Sequence, residues 1–152
     1  MEKSGFFNSS GGDRIYDAVD FAAYFGDLVS NGIFYMTETN LLVTPAIGLA
    51  VSVAAGSAWI NGYHYENTDD LNMPLATADG SNPRIDRVVV RLSQISRNIQ
   101  IAIISGTPAA TPVAPALTRT SDIYELGIAD VLVPTAATSI IANNISPFIL
   151  FL

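Results

Sequence analysis

The sequence predicts a mainly β fold, an antiparallel β-sandwich or barrel-like domain preceded by one N-terminal amphipathic α-helix. Apolar residues recur at helical spacing only near the N-terminus, whereas later stretches alternate apolar and polar residues with the period of two that strands require. An Asn-Gly dipeptide between two such stretches is a strong hairpin signal. One helix and about seven to nine strands suit two packed layers around a single core.

The N-terminal part is predicted to be an arm followed by a helix. Residues 1–15 are rich in Gly and Ser and form a flexible arm with an apolar pair, Phe6-Phe7. Residues 16–31 form a docking helix, in which Asp17 suits the N-cap and Gly32 follows the end. One stripe of this helix holds the residues spaced by three and four: Ala18, Phe21, Ala22, Phe25, Leu28 and Val29. The stripe packs on the protein's own sheet or on a neighbouring subunit, and the pattern leaves both open.

Residues 32–145 are predicted to form the β domain, and residues 146–152 an apolar C-terminal tail. "SAWI-NG-YHYEN" predicts a hairpin, because Asn61-Gly62 adopts the positive φ angles of a type I′ turn. "RIDRVVVRL" and "NIQIAIIS" predict an antiparallel pair, and "DIYELGIADVLV" one long strand over 123–133. The segment "GTPAATPVAPALTR" is excluded from central strands, since proline removes a ladder donor.

The longest stretch without a charge, residues 39–65, raises the question of a membrane helix. A spanning helix needs about 20 consecutive apolar residues. Here Pro45, Gly48, Gly56 and the Asn61-Gly62 turn interrupt any such run. We therefore expect buried strands and no membrane insertion.

Composition and charge exclude several classes of function. The net charge of −7 disfavours nucleic acid, whose phosphates it would repel. Only 14% of the residues are charged, which favours a protein that covers part of its surface in an assembly. Cysteine is absent, so no disulfide or thiolate metal site forms. The N-terminus lacks the apolar region of a secretory signal, so we expect synthesis in the cytoplasm.

The sequence predicts no catalytic, cofactor-binding or metal site. His64 is the single histidine and has no partner that the sequence can name, and Asp69-Asp70 read as a solvated loop. Glu125 and Asp130 fall on opposite faces of one strand, so they cannot act together without a bend. Four arginines lie on or near the central strands: Arg84, Arg87, Arg91 and Arg97. We expect a solvated strand face with local ion pairs, and the alternatives are pairing with Asp86 or binding to an acidic surface of a partner.

Aromatic residues of the predicted hairpin offer an alternative function. Trp59, Tyr63 and Tyr65 are the residue types on which sugar rings stack. A small carbohydrate-binding module that recognises a host cell-surface glycan is therefore the second hypothesis. Packing within the hairpin is the commoner use of such residues.

Three segments together resemble baseplate and tail structural proteins of phages and prophages of Gram-positive bacteria, of the upper-baseplate or receptor-binding-protein attachment type. The segments are "GFFNSSGGDRIYDAVDFAAYF", "VSVAAGSAWINGYHYEN" and the run from "PRIDRVVVRL" to "ELGIADVLV", and they cover most of residues 5–133. The combination carries the resemblance: a Phe-x-Ser arm, an Asp-Arg-x-Tyr helix entry, an Ala-Trp-Ile-Asn-Gly hairpin and Thr-Pro-Ala-Ala before a proline-rich loop.

This resemblance implies a non-enzymatic virion component that attaches to a tail hub and acts as a spacer or anchor for host recognition. The implied partners are other tail and baseplate proteins, with a homo-oligomer, taken as a trimer, as the working unit. The chain departs from the family at its end, "NNISPFILFL", which is too apolar for a solvated tail. The candidate assembly interface comprises Phe6, Phe7, Phe21, Phe25, Leu28, Phe148 and Phe151.

Overall fold

The computed structural model of the protein describes residues 2, 4–34 and 39–148, which contain one α-helix and ten strands. The strands form three antiparallel sheets. The helix α1 spans Ala18–Leu28. The strands are β1 (Gly32–Ile33), β2 (Val43–Pro45), β3 (Ala50–Val53), β4 (Gly56–Ile60), β5 (Tyr63–Asn67), β6 (Leu71–Pro74), β7 (Arg84–Ser93), β8 (Asn98–Ile104), β9 (Ile123–Val133) and β10 (Ile145–Pro147). A short 3₁₀ helix, Ala142–Asn144, precedes β10.

The sheets confirm the predicted class, a mainly β, sandwich-like fold with one helix at its N-terminus. The largest sheet has the strand order β10-β9-β7-β8, and the two smaller sheets have the orders β1-β4-β5 and β2-β3-β6. Side chains from all three sheets meet in one hydrophobic core that includes Val51, Ile60, Val90 and Leu126. A single core drawn from packed sheets explains why the strands alternate so regularly.

The predicted pairing of the two central segments is confirmed. In β7, Val88, Val90 and Leu92 are buried on the core face. Their partners across the ladder in β8 are Ile103, Ile101 and Ile99, in that order. Apolar pairs on one face of an antiparallel ladder are the unit of sheet stabilisation, and they fix this register.

The charge-free stretch forms strands β2 to β5, with the Asn-Gly hairpin at its end. Asn61 has φ 49° and Gly62 has φ 81°, which are the two positive angles of the predicted turn. In the described part of the chain, no helix has the length and apolar character needed to cross a membrane.

A bulge in the long strand β9 changes which residues share a face. The register with β7 shifts between Val88 and Val89, so that one extra residue lies in β9 at this point. Glu125 then lies opposite Arg91, and Asp130 opposite Arg87, on the same face of the sheet. The expectation that the two carboxylates point to opposite faces is corrected, because strict alternation does not hold across a bulge.

The outer face of the large sheet is covered by the proline-rich segment that leads from β8 to β9. Arg87 binds both carboxylate oxygens of Asp130, at 2.7 and 2.9 Å, and its Nη1 donates to the carbonyl of Pro115 at 2.7 Å. The buried Glu125 accepts from Arg91 at 2.7 Å and from the N–H of Thr118 at 2.6 Å. Each ion pair joins β7 to β9, and one member of each, Arg87 and Glu125, also ties the covering segment to the sheet.

The third arginine of this region is buried on the core side. Arg84 and Asp86 are 4% and 0% exposed, and Arg84 Nε lies 2.9 Å from Asp86 Oδ1. The guanidinium also donates to the carbonyls of Ala76 and Thr77, and Asp86 accepts from the N–H of Gly106. The pair joins the connection before β7 to the exit of β8. Pairing of an arginine with Asp86 was one of the predicted alternatives, whereas the burial of the pair differs from the expected solvated face.

Candidate assembly surface

A capping box determines where helix α1 begins. Asp17 Oδ1 accepts from the N–H groups of Val19 and Asp20, at 2.9 and 3.2 Å, and Asp20 Oδ2 accepts from the N–H of Asp17 at 3.1 Å. These bonds satisfy helical N–H groups that otherwise have no partner. The helix ends at Leu28, so it is shorter than the predicted span 16–31. An 11-residue helix is marginal by itself and requires tertiary contacts.

Those contacts come from the Asn61-Gly62 turn, on which the helix lies. Ala22 is the buried residue of the helix, and a Cβ atom added to Gly62 would stand 1.8 Å from the Ala22 carbonyl oxygen. The Asn31 side chain, just after the helix, accepts from the N–H of Asn61 at 2.6 Å and donates to its side-chain oxygen at 3.0 Å. Only glycine at position 62 allows this approach, so the hairpin turn also positions the helix.

The N-terminal arm folds back onto the helix through aromatic contacts. The Phe6 ring lies 5.2 Å from Tyr16, 5.4 Å from Phe21 and 4.8 Å from Tyr24, measured between centroids. The Tyr16 hydroxyl accepts from the N–H of Phe7 at 3.0 Å. These centroid distances are those of favourable aromatic pairs. The arm that the sequence predicts to be flexible is thus attached to the helix at Phe6.

A second aromatic group attaches the helix to the sheet. The Phe25 ring is 5.7 Å from Trp59, and Trp59 lies 6.0 Å from Phe34 and 5.8 Å from His64. Tyr24 and Phe25 are in contact at 5.7 Å, which links this group to the one around Phe6. Aromatic rings therefore run without interruption from the arm, across the helix, to strands β4 and β5.

Several apolar side chains of the helix and of the arm remain exposed to solvent. Val19 is 65% exposed, Phe21 47% and Leu28 63%. In the arm, Phe7 is 59% and Ile15 88% exposed. We call these five residues the apolar surface of the N-terminal unit. Of the two packings left open by the sequence, Ala22 and part of Phe25 pack on the protein's own β domain. Leu28 is left mainly uncovered and Phe21 about half covered.

Carboxylates line a groove that includes two residues of this surface, Ile15 and Val19. This groove of about 800 Å³ between the arm and the helix is lined by Phe6, Tyr16 and Tyr24 and by four acidic residues, Glu2, Asp13, Asp20 and Asp27. Arg14 is the one basic residue among the described lining residues, and it lies 3.7 Å from Asp13 and over the Phe7 ring. A partner that covers this surface meets apolar and acidic groups, so basic groups at its rim would be favoured.

The C-terminal candidates lie apart from this surface. The Phe148 ring packs over Gly127, where an added Cβ would stand 2.8 Å from a ring carbon, and the guanidinium of Arg87 is 5.4 Å from the ring centroid. The Phe148 N–H donates to the carbonyl of Ile128 at 2.8 Å. The hydrogen bonds to Asp130 raise the pKa of Arg87. Phe148 is therefore engaged with its own sheet, and Phe151 lies outside the described residues.

The three aromatic residues of the possible glycan platform do not share one surface. Across the β4–β5 ladder, Trp59 lies opposite His64, whereas Tyr63 and Tyr65 lie opposite Ile60 and Ala58. Directly opposite residues share a face of the sheet, so the two tyrosines face the core and Trp59 faces the helix. Burial raises the pKa of Tyr65. The platform is not assembled, because strand alternation separates its members.

Several residues of the surface were not singled out from the sequence. Tyr16 and Tyr24 both contact Phe6 of the arm, and Val19 is one of the most exposed apolar residues of helix α1. The capping box of Asp17 and Asp20 could have identified the start of the helix from the sequence. The helical spacing of three and four then places residues 20, 24 and 27 on one face. No group of three or more His, Asp or Glu suited to a metal ion is found in the described ranges.

Comparison with known proteins identifies no relative: the chain matches no protein-family model, no curated protein and no solved structure.

Proposed function

We propose that this protein is a non-enzymatic structural component of a phage or prophage tail baseplate. It attaches to a tail hub and to other baseplate proteins through its N-terminal arm and helix, forms a homo-oligomer, with a trimer as the working stoichiometry, and supports host recognition as a rigid spacer. It is made in the host cytoplasm and ends in the virion. Support for the phage assignment is the resemblance of the three sequence segments described above, over residues 5–133.

The observation that carries the assembly role is the apolar surface of the N-terminal unit. Val19, Phe21 and Leu28 project from one short helix and are each about half exposed or more. Phe21 and Leu28 lie seven positions apart and so share one face of the helix. Exposed apolar side chains that share a face are uncommon on monomeric proteins and mark interaction sites. Burying what remains exposed of these three side chains would contribute roughly 3 to 5 kcal/mol before the cost of association.

The β domain suits the role of a spacer. Its long strands β7 and β9 are joined to each other by the ion pairs of Arg87 and Arg91, and its core is continuous. Such a domain suits a spacer, because one core holds its three sheets together. The rings of Phe25 and Trp59 then hold the docking helix against this rigid part.

The test is a binding experiment with a matched pair of variants. The chain is mixed with the tail-hub protein encoded beside its gene, and complexes are counted by native mass spectrometry. The double variant Phe21→Ser/Leu28→Ser is expected to lose the hub complex. The double variant Ile95→Ser/Val113→Ser, which changes residues 76% and 78% exposed in other parts of the fold, is expected to keep it.

Circular dichroism of each variant checks that the fold is retained. A wild-type chain that stays monomeric with the hub protein present would contradict the proposal, as would equal binding by both double variants. The genomic context gives a second, independent check, since genes for tail and lysis proteins are expected beside the gene of this chain.

A further inference from the structure

Strand β8 forms an edge of the large sheet along its whole length. It pairs with β7 on one side, from Asn98 opposite Ser93 to Ile104 opposite Arg87. Within the described ranges, residues 98–104 make no backbone hydrogen bond besides those of this ladder. About half of the N–H and C=O groups of this seven-residue strand therefore point away from β7 in the plane of the sheet, where they could form hydrogen bonds to a further strand.

The other five sheet edges of the described structure are protected. β2, β6 and β10 have three or four residues each and include Pro45, Pro74 and Pro147, which cannot donate to a ladder. β1 spans two residues, and β5 contains a charged residue, Glu66. Short strands, prolines and charges are the usual means of preventing edge pairing. β8 has none of them, because its sequence "NIQIAII" contains no proline and no charge.

The side chains of β8 are suited to a strand of the same sequence. Ile99, Ile101 and Ile103 alternate on the core face, and Ile101 belongs to the core, with Ile99 and Ile103 partly covered at its margin. The neighbouring cations of β7 are already neutralised, since Arg87 and Arg91 bind Asp130 and Glu125. A second copy approaching this edge would therefore meet apolar side chains and free backbone groups, without like-charge repulsion from β8 itself.

We propose that β8 pairs antiparallel with β8 of a second copy of this chain, about a two-fold axis that passes beside Ile101. In this register Ile101 faces its counterpart, Ile99 faces the second copy's Ile103, and Asn98 faces the second copy's Ile104. The two four-stranded sheets become one continuous sheet of eight strands, and the two cores join across the isoleucines.

The register follows from the spacing of the isoleucines. A slip by one residue would place the isoleucines of one copy opposite Gln100 and Ala102 of the other. One core face would then continue into the outer face of the other copy, which is unfavourable because each isoleucine face belongs to a core. A slip by two would leave an isoleucine facing a residue beyond the partner strand or in its turn. The register centred on Ile101 alone uses all seven residues. This interface lies on a different surface from the N-terminal unit and does not depend on the function proposed above.

The absence of cysteine makes disulfide trapping a clean test of this register. Ile101 is 6% exposed in the monomer, and Ile101→Cys places two sulfur atoms directly across the axis of the dimer. Asn98→Cys is exposed and lies on the same strand, but its counterpart is six positions along the ladder, about 20 Å away. Under mild oxidation the proposal predicts linked dimers from Ile101→Cys and little from Asn98→Cys. Random collision of monomers predicts the reverse order, and that order would overturn the proposal.

A second pair of variants keeps the test decisive if Ile101→Cys folds poorly. Ile99→Cys and Ile103→Cys change residues at the margin of the core, and each has its own counterpart about 13 Å away in the dimer. A mixture of the two variants brings unlike sulfurs face to face. Linked dimers are therefore expected from the mixture and not from either variant alone. Equal yields from the mixture and the single variants would refute the register.

Association of the unmodified chain completes the test. Sedimentation velocity between about 1 μM and about 1 mM is expected to show a concentration-dependent dimer, since a strand pair is a small interface. Gln100→Lys places a charge in the middle of the edge and is expected to weaken dimerisation several-fold. Gln94→Lys adds the same charge to an exposed glutamine in the turn and is expected to leave it unchanged. A chain that is monomeric throughout, or equal weakening by both variants, would contradict the pairing of β8.

Discussion

Replacement of Asp86 by asparagine tests the buried ion pair most directly. The change keeps the side chain's size and removes its charge. Arg84, which is only 4% exposed, is then left without a counter-charge. Two carbonyl groups, of Ala76 and Thr77, remain as acceptors. Removing one partner of a buried pair costs about 3 to 5 kcal/mol, because the remaining charge stays buried. We expect Asp86→Asn to destabilise the fold by this amount.

Urea unfolding, followed by far-UV circular dichroism and by the fluorescence of Trp59, measures the effect. With a slope of roughly 2 kcal/mol per M, the midpoint should fall by about 1.5 to 2.5 M. The matched control is Asp13→Asn, since Asp13 lies 3.7 Å from Arg14 and both side chains are at least 40% exposed. An exposed pair contributes at most about 1 kcal/mol, so this variant should unfold close to the wild type.

The double variant Arg84→Met/Asp86→Leu separates burial of a charge from loss of packing. Replacing both partners by apolar side chains leaves no buried charge, and the carbonyls of the exposed residues Ala76 and Thr77 can bind water. The Gly106 N–H, which donates to Asp86, also loses its acceptor, but a neutral N–H without a partner costs less than a buried charge. We expect this variant to be more stable than Asp86→Asn. The reasoning is refuted if Asp86→Asn costs less than about 1 kcal/mol, or if the double variant is no more stable than the single one.

Three further predictions use matched controls or a pH series. Gly62→Ala should displace helix α1 from the hairpin turn and accelerate amide exchange at Ala22, because the added Cβ would meet the Ala22 carbonyl. The control Gly48→Ala has a similar positive φ of 75° and open space around it, so it should show the cost of backbone strain without displacing the helix. Gly127→Ala should displace the Phe148 ring and cost about 1 to 3 kcal/mol of unfolding free energy, compared with no loss for Gly80→Ala, where a Cβ meets nothing within 4 Å. The N–H groups of Asn82 and Ser81 lower the pKa of Asp79 in the folded state, so its stabilisation is complete above the ordinary pKa and disappears as the pH falls through the folded value. The stability difference between wild type and Asp79→Ala, measured by urea unfolding, should therefore shrink on acidification, and a difference independent of pH would exclude this role for the carboxylate.

Periodicity and turn chemistry in the sequence predict the fold class and several of its elements. The alternation in β7 and β8 predicts their pairing, and Asn61-Gly62 predicts the hairpin, because both signals depend on residues next to one another in the chain. Asp17 likewise identifies the start of the helix through a cap that involves only its own first turn. Local hydrogen bonds and side-chain periods are properties that a single segment carries with it.

Contacts between distant segments were decided by the tertiary structure. The bulge in β9 appears only when that strand is laid against β7, and it brings Glu125 and Asp130 to one face although their spacing alone separates them. The burial of Arg84 with Asp86 depends on the connection that precedes β7. Trp59 and the tyrosines of β5 are close in sequence, but the ladder register assigns them to opposite faces.

The sequence by itself determined the class of fold, the hairpin, the helix and its apolar stripe, since each follows from propensity and spacing within a short segment. The tertiary structure decided which residues of that stripe stay exposed and which sheet edge is left open. Exposure is a property of the space that other segments leave uncovered. For Phe21 and Leu28, and for the edge of β8, that space is set by strands and loops far away in the chain.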